Sequence, residues 1–189
     1  RASPIMRGGD LRFDSSDAGL GDVTRLVLNP IWNAYYFFTL YANIDGTRAT
    51  FRTDSEQLLD RYVLAKTREL VERVTSEMDD YDVAGACSEI TAFLDALNNW
   101  YIRRSRSRFW SEGASQDKQD AYDTLYTVLT TVVRAAAPFL PLITEEIYRG
   151  LTSDRSVHLT DYPDVNDVPK DPELPQGGDA LPFEFFAGF

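Results

Sequence analysis

Apolar side chains recur every three or four residues through most of this 189-residue chain, a period that predicts amphipathic α-helices. The pattern predicts five helices, at about residues 22–41, 53–78, 82–112, 117–136 and 142–151. Pro30 lies inside the first helix and predicts a kink, because proline removes one backbone hydrogen bond and crowds the preceding turn. Pro141 suits the first turn of the last helix, where its missing N–H leaves no bond unmade.

Local signals predict where these helices begin and end. Thr53 and Glu56 have the spacing of a capping box, which predicts that the second helix starts at Thr53. Glycine, alanine and serine at 113–115 end the third helix, and residues 156–160 (SVHLT) are predicted to be briefly extended. Residues 161–189 hold seven acids, one base and five prolines, a composition that predicts an irregular acidic tail.

Helices of similar length with short connections predict an all-α fold. We expect an antiparallel bundle of four to five helices, followed by the short extended segment and the acidic tail. The predicted organisation is a linker at residues 1–18, the helical domain at 19–152, and the extended segment with the tail at 153–189.

Composition narrows the function classes. Hydrophobic residues make up 43% of the chain and charged residues 26%, as in an ordinary globular domain. No apolar run approaches the roughly 20 residues that span a bilayer, so no membrane partner is expected. The net charge of −11 disfavours nucleic acid as a partner of the chain as a whole. The chain begins with Arg1 and is expected to be a piece of a longer protein.

The sequence carries no recognisable reaction centre. Cys87 lies in the apolar stripe of the third helix and is predicted to be a buried structural thiol. His158 is the only histidine and lies outside the helices, which excludes a helix-borne Glu-x-x-His metal site. Gly8 and Gly9 are too few for a phosphate-binding loop. We therefore predict no catalytic residue and no metal ligand in this chain.

One segment departs from the overall charge. Residues 100–110 (WYIRRSRSRFW) carry a charge of +4, no acid and four aromatic rings. Their cations are all arginines, whose planar guanidinium groups bind phosphate with two hydrogen bonds and stack on bases. Exposed arginines beside aromatic rings are typical of surfaces that bind unpaired RNA bases.

Helical phase divides the four arginines into two pairs. With Leu97 at the centre of the buried stripe and about 100° per residue, Arg104 and Arg108 continue the core face, whereas Arg103 and Arg106 point away from it. The first pair could brace the end of the bundle through acids such as Glu145 or Asp123, or bind an external anion. The residues alone leave both readings open.

The aromatic run on the first helix is predicted to belong mainly to the core. Asn33 lies among these rings and could present a polar group to a ligand. The run comprises Trp32, Tyr35, Tyr36, Phe37, Phe38 and Tyr41.

Five segments resemble the isoleucyl-tRNA synthetase family. Residues 1–14 resemble the exit from its catalytic region, and 29–38 (NPIWNAYYFF) with 41–45 the first helix of its anticodon-binding domain. Residues 99–110 (NWYIRRSRSRFW) are similar to its most specific motif. The last bundle helix and the segment after it resemble residues 137–148 (APFLPLITEEIY) and 157–163. The resemblance covers about residues 1–163; no family pattern is assigned to the tail beyond Val165, and its role stays open.

The resemblance implies one function for this chain and another for the longer enzyme that contains it. It implies an anticodon-binding domain that holds the anticodon stem-loop of isoleucine tRNA, in a cytoplasmic enzyme that joins isoleucine to its tRNA with ATP and magnesium. The chain lacks that family's His-Ile-Gly-His and Lys-Met-Ser-Lys-Ser type motifs, so no cofactor and no activity are expected for it alone. The other partner that the resemblance implies is the catalytic domain of the same polypeptide.

The resemblance also implies which residues contact RNA. Arginines are expected on phosphates and base edges, Trp100 and Tyr101 to stack or to frame the arginines, and two asparagines to donate to base edges. The predicted RNA-binding set is Asn33, Asn99, Trp100, Tyr101, Arg103, Arg104, Arg106 and Arg108.

Two other functions stay open. The arginines of a protein-interaction bundle would dock an acidic partner, such as the tail of this chain. The same domain could also belong to a valine- or leucine-type synthetase, although the arginine-rich motif favours isoleucine.

Overall fold

The computed structural model describes residues 18–170, with side chains from residue 21 onward. The linker predicted at 1–18, apart from its last residue, and the tail after Lys170 lie outside the described residues. The α-helices are α1 Ala18–Val23, α2 Asn29–Asp45, α3 Leu58–Asp79, α4 Val83–Ala96, α5 Arg103–Trp110, α6 Gln116–Ala136 and α7 Pro141–Thr152. Two π-helical turns, Thr24–Leu28 and Leu97–Ile102, join α1 to α2 and α4 to α5 without a break.

The helices form the predicted antiparallel bundle. Asp60 at the start of α3 bonds Arg108 near the end of α5, while Arg73 farther along α3 bonds Glu89 on α4, so the two rods run in opposite directions. α3 packs against α4 and α6, and α6 packs against α7. The described residues contain no β-strand, and the predicted all-α fold is confirmed.

α6 occupies the centre of the bundle. Nearly every residue between Ala121 and Ala137 is buried, because other helices pack around it. Its buried threonines donate their hydroxyls to carbonyl groups one turn earlier, as Thr127 does to Asp123 and Thr131 to Thr127. These local bonds let polar side chains lie in the core without an unpaired hydroxyl.

The predicted helix ends are confirmed at three places. Asp82 caps α4 by accepting a hydrogen bond from the Gly85 amide at 2.8 Å. Ser115 caps α6, and Pro141 lies in the first turn of α7. A π turn, Thr24–Leu28, immediately precedes α2, and Pro30, where a kink was predicted, lies in the first turn of α2.

Two local predictions are wrong. α3 begins at Leu58 with no side-chain cap, because tertiary bonds hold the preceding segment extended along α6: the Thr50 amide donates to Asp123 at 2.8 Å and the Arg52 amide to Thr127 at 2.8 Å. The segment predicted to be extended at 156–160 has a 3₁₀ turn at its centre, Val157–Leu159. Only its flanking residues are extended.

The first part of the predicted tail packs on the bundle. Pro163 and Val168 are buried, and a second 3₁₀ turn covers Val165–Asp167. The Arg68 guanidinium on α3 donates to the backbone carbonyls of Val165 and Val168 at 2.8 and 2.9 Å. Residues 157–170 therefore form a strap that packs on the bundle, and residues 161–170 of the predicted tail are irregular apart from the turn Val165–Asp167.

The strap generates a stability prediction. Val168→Asp places a carboxylate at a position with no exposed surface, which we expect to lower the free energy of unfolding by about 2 kcal/mol or more. Leu159→Asp is the matched control, since Leu159 lies on the same strap with 67% of its surface exposed. Urea unfolding followed by circular dichroism measures both, and equal stability of the two variants would contradict the docked strap.

Candidate nucleic-acid interface

The arginine-rich segment folds as α5, and the π turn before it sets which residues face the core. Leu97, Tyr101, Ser105 and Phe109 are all buried, at intervals of four residues. In an uninterrupted α-helix three such intervals would drift by about 120° around the axis. A π turn holds one more residue between hydrogen-bonded partners, which cancels most of this drift.

The π turn corrects the predicted phase by about one residue. Ser105 and Phe109 take the core positions that an unbroken α-helix would give to Arg104 and Arg108. Those two arginines lie at the flank of the core face and are partly buried. The π turn therefore keeps Arg104 and Arg108 out of the centre of the core.

Arg103 and Arg106 are the exposed cations of α5. Both point to solvent, as the helical phase predicted. Within residues 18–170 neither side chain has a hydrogen bond or an ion pair with a protein group. Their guanidinium groups are therefore available to an external anion.

Arg104 and Trp100 form a stacked pair on the flank of the same face. The guanidinium carbon lies 4.7 Å from the centroid of the indole ring, the geometry of a cation–π contact. Asn99 beside them is exposed, and its amide donates to the Asp95 carboxylate at 2.7 Å. The stack fixes a planar cation at the edge of the arginine surface.

Arg108 is bound inside the bundle. Its two terminal nitrogens donate to the two carboxylate oxygens of Asp60 at 2.6 and 2.9 Å, and one also bonds Asp117 at 2.9 Å. Only 13% of its side chain is exposed. Burial by itself lowers the pKa of Arg108, but the hydrogen bond and the charge of Asp60 outweigh it and raise the pKa. The arginine stays charged and engaged.

The partners suggested for Arg108 from the sequence are not the ones it has. Glu145 accepts hydrogen bonds from the Ser156 hydroxyl and the Val157 amide, and so holds the start of the strap. Asp123 binds the segment before α3. Of the two roles that the sequence left open for Arg108, the structure shows a brace at the bundle end, with Asp60 as the partner. The position of Asp60 in the apolar stripe of α3 is the sequence signal that could have indicated it.

Tyr101 shares the same carboxylate. Its hydroxyl donates to Asp60 at 2.8 Å, and the residue is 1% exposed. Burial and the charge of Asp60 raise the pKa of Tyr101 well above its usual value, so the hydroxyl remains a donor. The ring frames Arg108 from inside and presents no face to an external base.

Asn33 lies on an exposed face of α2 that contains no charged side chain. Trp32 and Tyr36 are 42% and 56% exposed on the same helix, so the prediction that the aromatic run belongs to the core is wrong for these two rings. It holds for Phe38, which is buried. α2 has no charged residue before Asp45, which leaves an aromatic and amide surface.

Ring contacts place α2 beside α5. Phe37 packs edge-on against Phe109 with centroids 5.0 Å apart, and Tyr41 lies 6.5 Å from Trp110. The structure therefore puts the helix that carries Asn33 next to the helix that carries Arg103 and Arg106.

Lys118 and Asp45 close the same end of the bundle. The Lys118 ammonium lies 2.7 Å from Asp45 and donates to the Ser111 carbonyl at 2.9 Å, and the Tyr122 hydroxyl also donates to Asp45. Hydrogen bonds from Lys118 and Tyr122 lower the pKa of Asp45. These contacts tie the ends of α2 and α5 to α6, and the sequence patterns do not predict them.

The remaining chemical candidates have ordinary surroundings. Cys87 is exposed on α4, so the prediction of a buried thiol is wrong, because the apolar stripe there is carried by Ala86 and Ile90. His158 contacts the Pro141 carbonyl.

Among the described residues, no group of three or more His, Cys, Asp or Glu side chains could hold a metal ion. None of the helices in residues 18–170 has the length and apolar character of a membrane span.

The chain is similar in sequence to known proteins. The family model described as "Anticodon-binding domain of tRNA ligase" matches residues 60–182. The chain is 51% identical over 177 residues to the isoleucine–tRNA ligase of Leifsonia xyli, 52% over 173 residues to that of Mycobacterium tuberculosis H37Rv, and 48% over 162 residues to that of Wolbachia pipientis.

The matches cover most of this chain but only a small part of each relative. They include 92%, 92% and 85% of this chain and only 15%, 16% and 15% of the relatives. The chain therefore spans about 15% of the length of the curated relatives it matches. The family model extends to residue 182, so the expectation that family resemblance ends near residue 163 is wrong.

The Asp45 contacts predict a pH dependence. A carboxyl whose pKa is lower in the folded state than in the unfolded chain stabilises the fold above the unfolded pKa, and this contribution is lost as the pH falls through the folded value. We expect Asp45→Asn to be less stable than the parent chain at neutral pH. The difference between the two chains should shrink as the pH falls below about 4.

Urea titrations at pH 7, 5, 4 and 3 measure this dependence. Asp79→Asn is the control, since Asp79 is an exposed carboxylate at the end of α3. A difference between Asp45→Asn and the parent chain that is the same at every pH would contradict the assignment.

Proposed function

The chain belongs to the family of anticodon-binding domains of tRNA ligases, and we propose that it binds the anticodon stem-loop of isoleucine tRNA. The observation that carries this proposal is the pair of exposed arginines without a protein partner in the described residues, Arg103 and Arg106, in a chain of net charge −11. In an acidic domain, cations kept clear of carboxylates are suited to an external polyanion.

The arginine surface supports RNA in particular. Arg103 and Arg106 contact phosphates and base edges with their planar forks, while the Arg104–Trp100 stack offers a rigid cation and an aromatic edge to a splayed base. Asn99 and Asn33 present amides that can donate to base edges. Arg108 and Tyr101 belong to the same site through their bonds to Asp60 and not through contact with RNA.

The choice of isoleucine tRNA rests on the relatives. Proteins named isoleucine–tRNA ligase from three bacteria match this chain at 48–52% identity. We place the chain in an enzyme of that kind, which joins isoleucine to its tRNA with ATP and magnesium in the cytoplasm. The catalytic domain of the same polypeptide holds those cofactors, and this chain alone has no activity.

A protein-interaction role would use the same arginines to bind an acidic partner. The Trp100–Arg104 stack and the uncharged aromatic face of α2 favour RNA, because bases offer planar rings to stack on and an acidic peptide does not. Removing residues 171–189, beyond the packed strap, tests the tail as a competitor. A gain in RNA affinity on this truncation would indicate that the acidic tail occupies the arginine surface.

The first RNA prediction concerns charge. Arg103→Ala/Arg106→Ala should weaken binding to isoleucine tRNA by about tenfold or more and reduce the slope of log K against log salt by about two. Arg149→Ala/Arg155→Ala is the matched control, since it removes the same charge from exposed positions in the last turn of α7 and just after it. Fluorescence anisotropy at several salt concentrations measures the affinity and the salt slope. Equal losses of affinity in the two double variants would mean that only the net charge of the chain matters, and would contradict the assignment of Arg103 and Arg106.

The second RNA prediction concerns the anticodon. Isoleucine tRNA should bind more tightly than the same transcript with a substituted anticodon, because unpaired loop bases expose edges that side chains can read. The comparison is made at one salt concentration, with the stem sequences unchanged. Equal affinity for the two transcripts would remove the anticodon from the proposal while leaving RNA binding in place.

A further inference from the structure

We propose that Asp60 is a positioning residue for RNA binding: its carboxylate fixes the rotation of α5 about its axis, and with it the direction in which Arg103 and Arg106 project from the bundle. This inference rests on the proposed function. Asp60 has no exposed surface and cannot touch RNA itself. Its influence on binding has to pass through the groups that it holds.

The contacts of Asp60 lie on both sides of the junction between the π turn and α5. Tyr101 belongs to the π turn Leu97–Ile102, and Arg108 belongs to α5. One carboxylate accepts from the Tyr101 hydroxyl and from both terminal nitrogens of Arg108. Because the two donors are seven residues apart on one rod, satisfying both at once fixes the rotation of α5 relative to the π turn.

Local helix geometry does not fix this rotation. The same segment as an unbroken α-helix would turn Arg104 and Arg108 into the core and rotate the two exposed arginines by about 100°. The π register instead places Ser105 and Phe109 in the core. A guanidinium held by two parallel hydrogen bonds has a defined plane and direction, so the Asp60–Arg108 bond selects the π register.

Neighbouring helices reinforce the same arrangement. Arg108 also bonds the side chain and the backbone carbonyl of Asp117 at the start of α6, both at 2.9 Å. The Ser55 hydroxyl donates to Asp60 from the segment before α3, at 2.7 Å. A buried ion pair often adds less stability than an apolar pair of equal volume. Its hydrogen bonds are directional, however, and therefore favour one rotation of α5, which apolar contacts do not.

The test compares variants of the full 189-residue chain. Asp60→Asn and Arg108→Lys keep the volume and, for lysine, the charge, but lose the two parallel charged hydrogen bonds. Asp60→Leu/Arg108→Met replaces the pair by apolar groups and keeps the proposal testable where a single variant fails to fold. Arg73→Lys is the matched control, an arginine that pairs with Glu69 and Glu89 away from α5.

Two measurements are made on each folded variant. Affinity for isoleucine tRNA over a range of salt reports the exposed arginines, and amide hydrogen exchange reports the order of each helix. We expect the Asp60 and Arg108 variants to bind about tenfold more weakly, with a salt slope smaller by up to two. Exchange should become faster at residues 97–110 while α7 stays protected. Arg73→Lys should change neither.

The alternative roles give different results. If Arg108 contacted RNA directly, Arg108→Lys would keep most of the affinity, and Asp60→Asn would keep or increase it by releasing the arginine. Either result in a folded variant overturns the proposal, as does unchanged exchange at 97–110. If the unsubstituted chain fails to bind tRNA at low salt, the proposed function falls, and the exchange data alone decide whether Asp60 holds α5.

Discussion

The carboxylate of Asp60 is the constraint on which the arrangement at one end of the bundle depends. It is fully buried and accepts hydrogen bonds from Ser55, Tyr101 and Arg108. A charge in this position is tolerated only because each of its bonds is made, and removal of one partner of a buried pair costs about 3–5 kcal/mol. The bonds join the segment before α3 to α3 and α5, and Arg108 extends them to α6.

The π turns are a second constraint, which acts through the geometry of the backbone. The turn Leu97–Ile102 allows Leu97, Tyr101, Ser105 and Phe109 to share one buried face. Its residue Asn98 donates to the carbonyl of Pro30, in the first turn of α2 after the other π turn, at 3.2 Å. The π turn of one rod is therefore bonded to the helix that follows the π turn of the other, and packing stabilises a geometry that is rare in proteins.

Within residues 18–170, several cations pair with nearby carboxylates. Many carboxylates near the arginine segment are engaged within the bundle: Asp60 and Asp117 with Arg108, Asp123 with the segment before α3, and Asp45 with Lys118. Arg103 and Arg106 lie beyond these pairs. An acidic surface repels RNA in general, and an attractive patch on such a surface favours binding in one orientation over non-specific binding.

The sequence alone determined the class of fold and the segment of interest. The three-to-four-residue period of apolar side chains predicts the helices because burial of one face is what stabilises a helix in a bundle. Four arginines between aromatic rings stand out from an acidic chain without any knowledge of its shape. Periodicity also predicts that Arg103 and Arg106 face away from the core. This prediction holds although the predicted phase is wrong by one residue, because both positions are exposed in either phase.

Only the tertiary structure decided how the arginines divide their roles. Whether Arg108 faces a neighbour or solvent depends on Asp60, which is 48 residues away in sequence and is brought to it by the packing of α3. The capping box at Thr53 failed for the same reason, since Asp123 and Thr127 compete for the backbone there. Local patterns record the preferences of a segment for helix and for burial, whereas a π register and a buried ion pair exist only when distant residues meet.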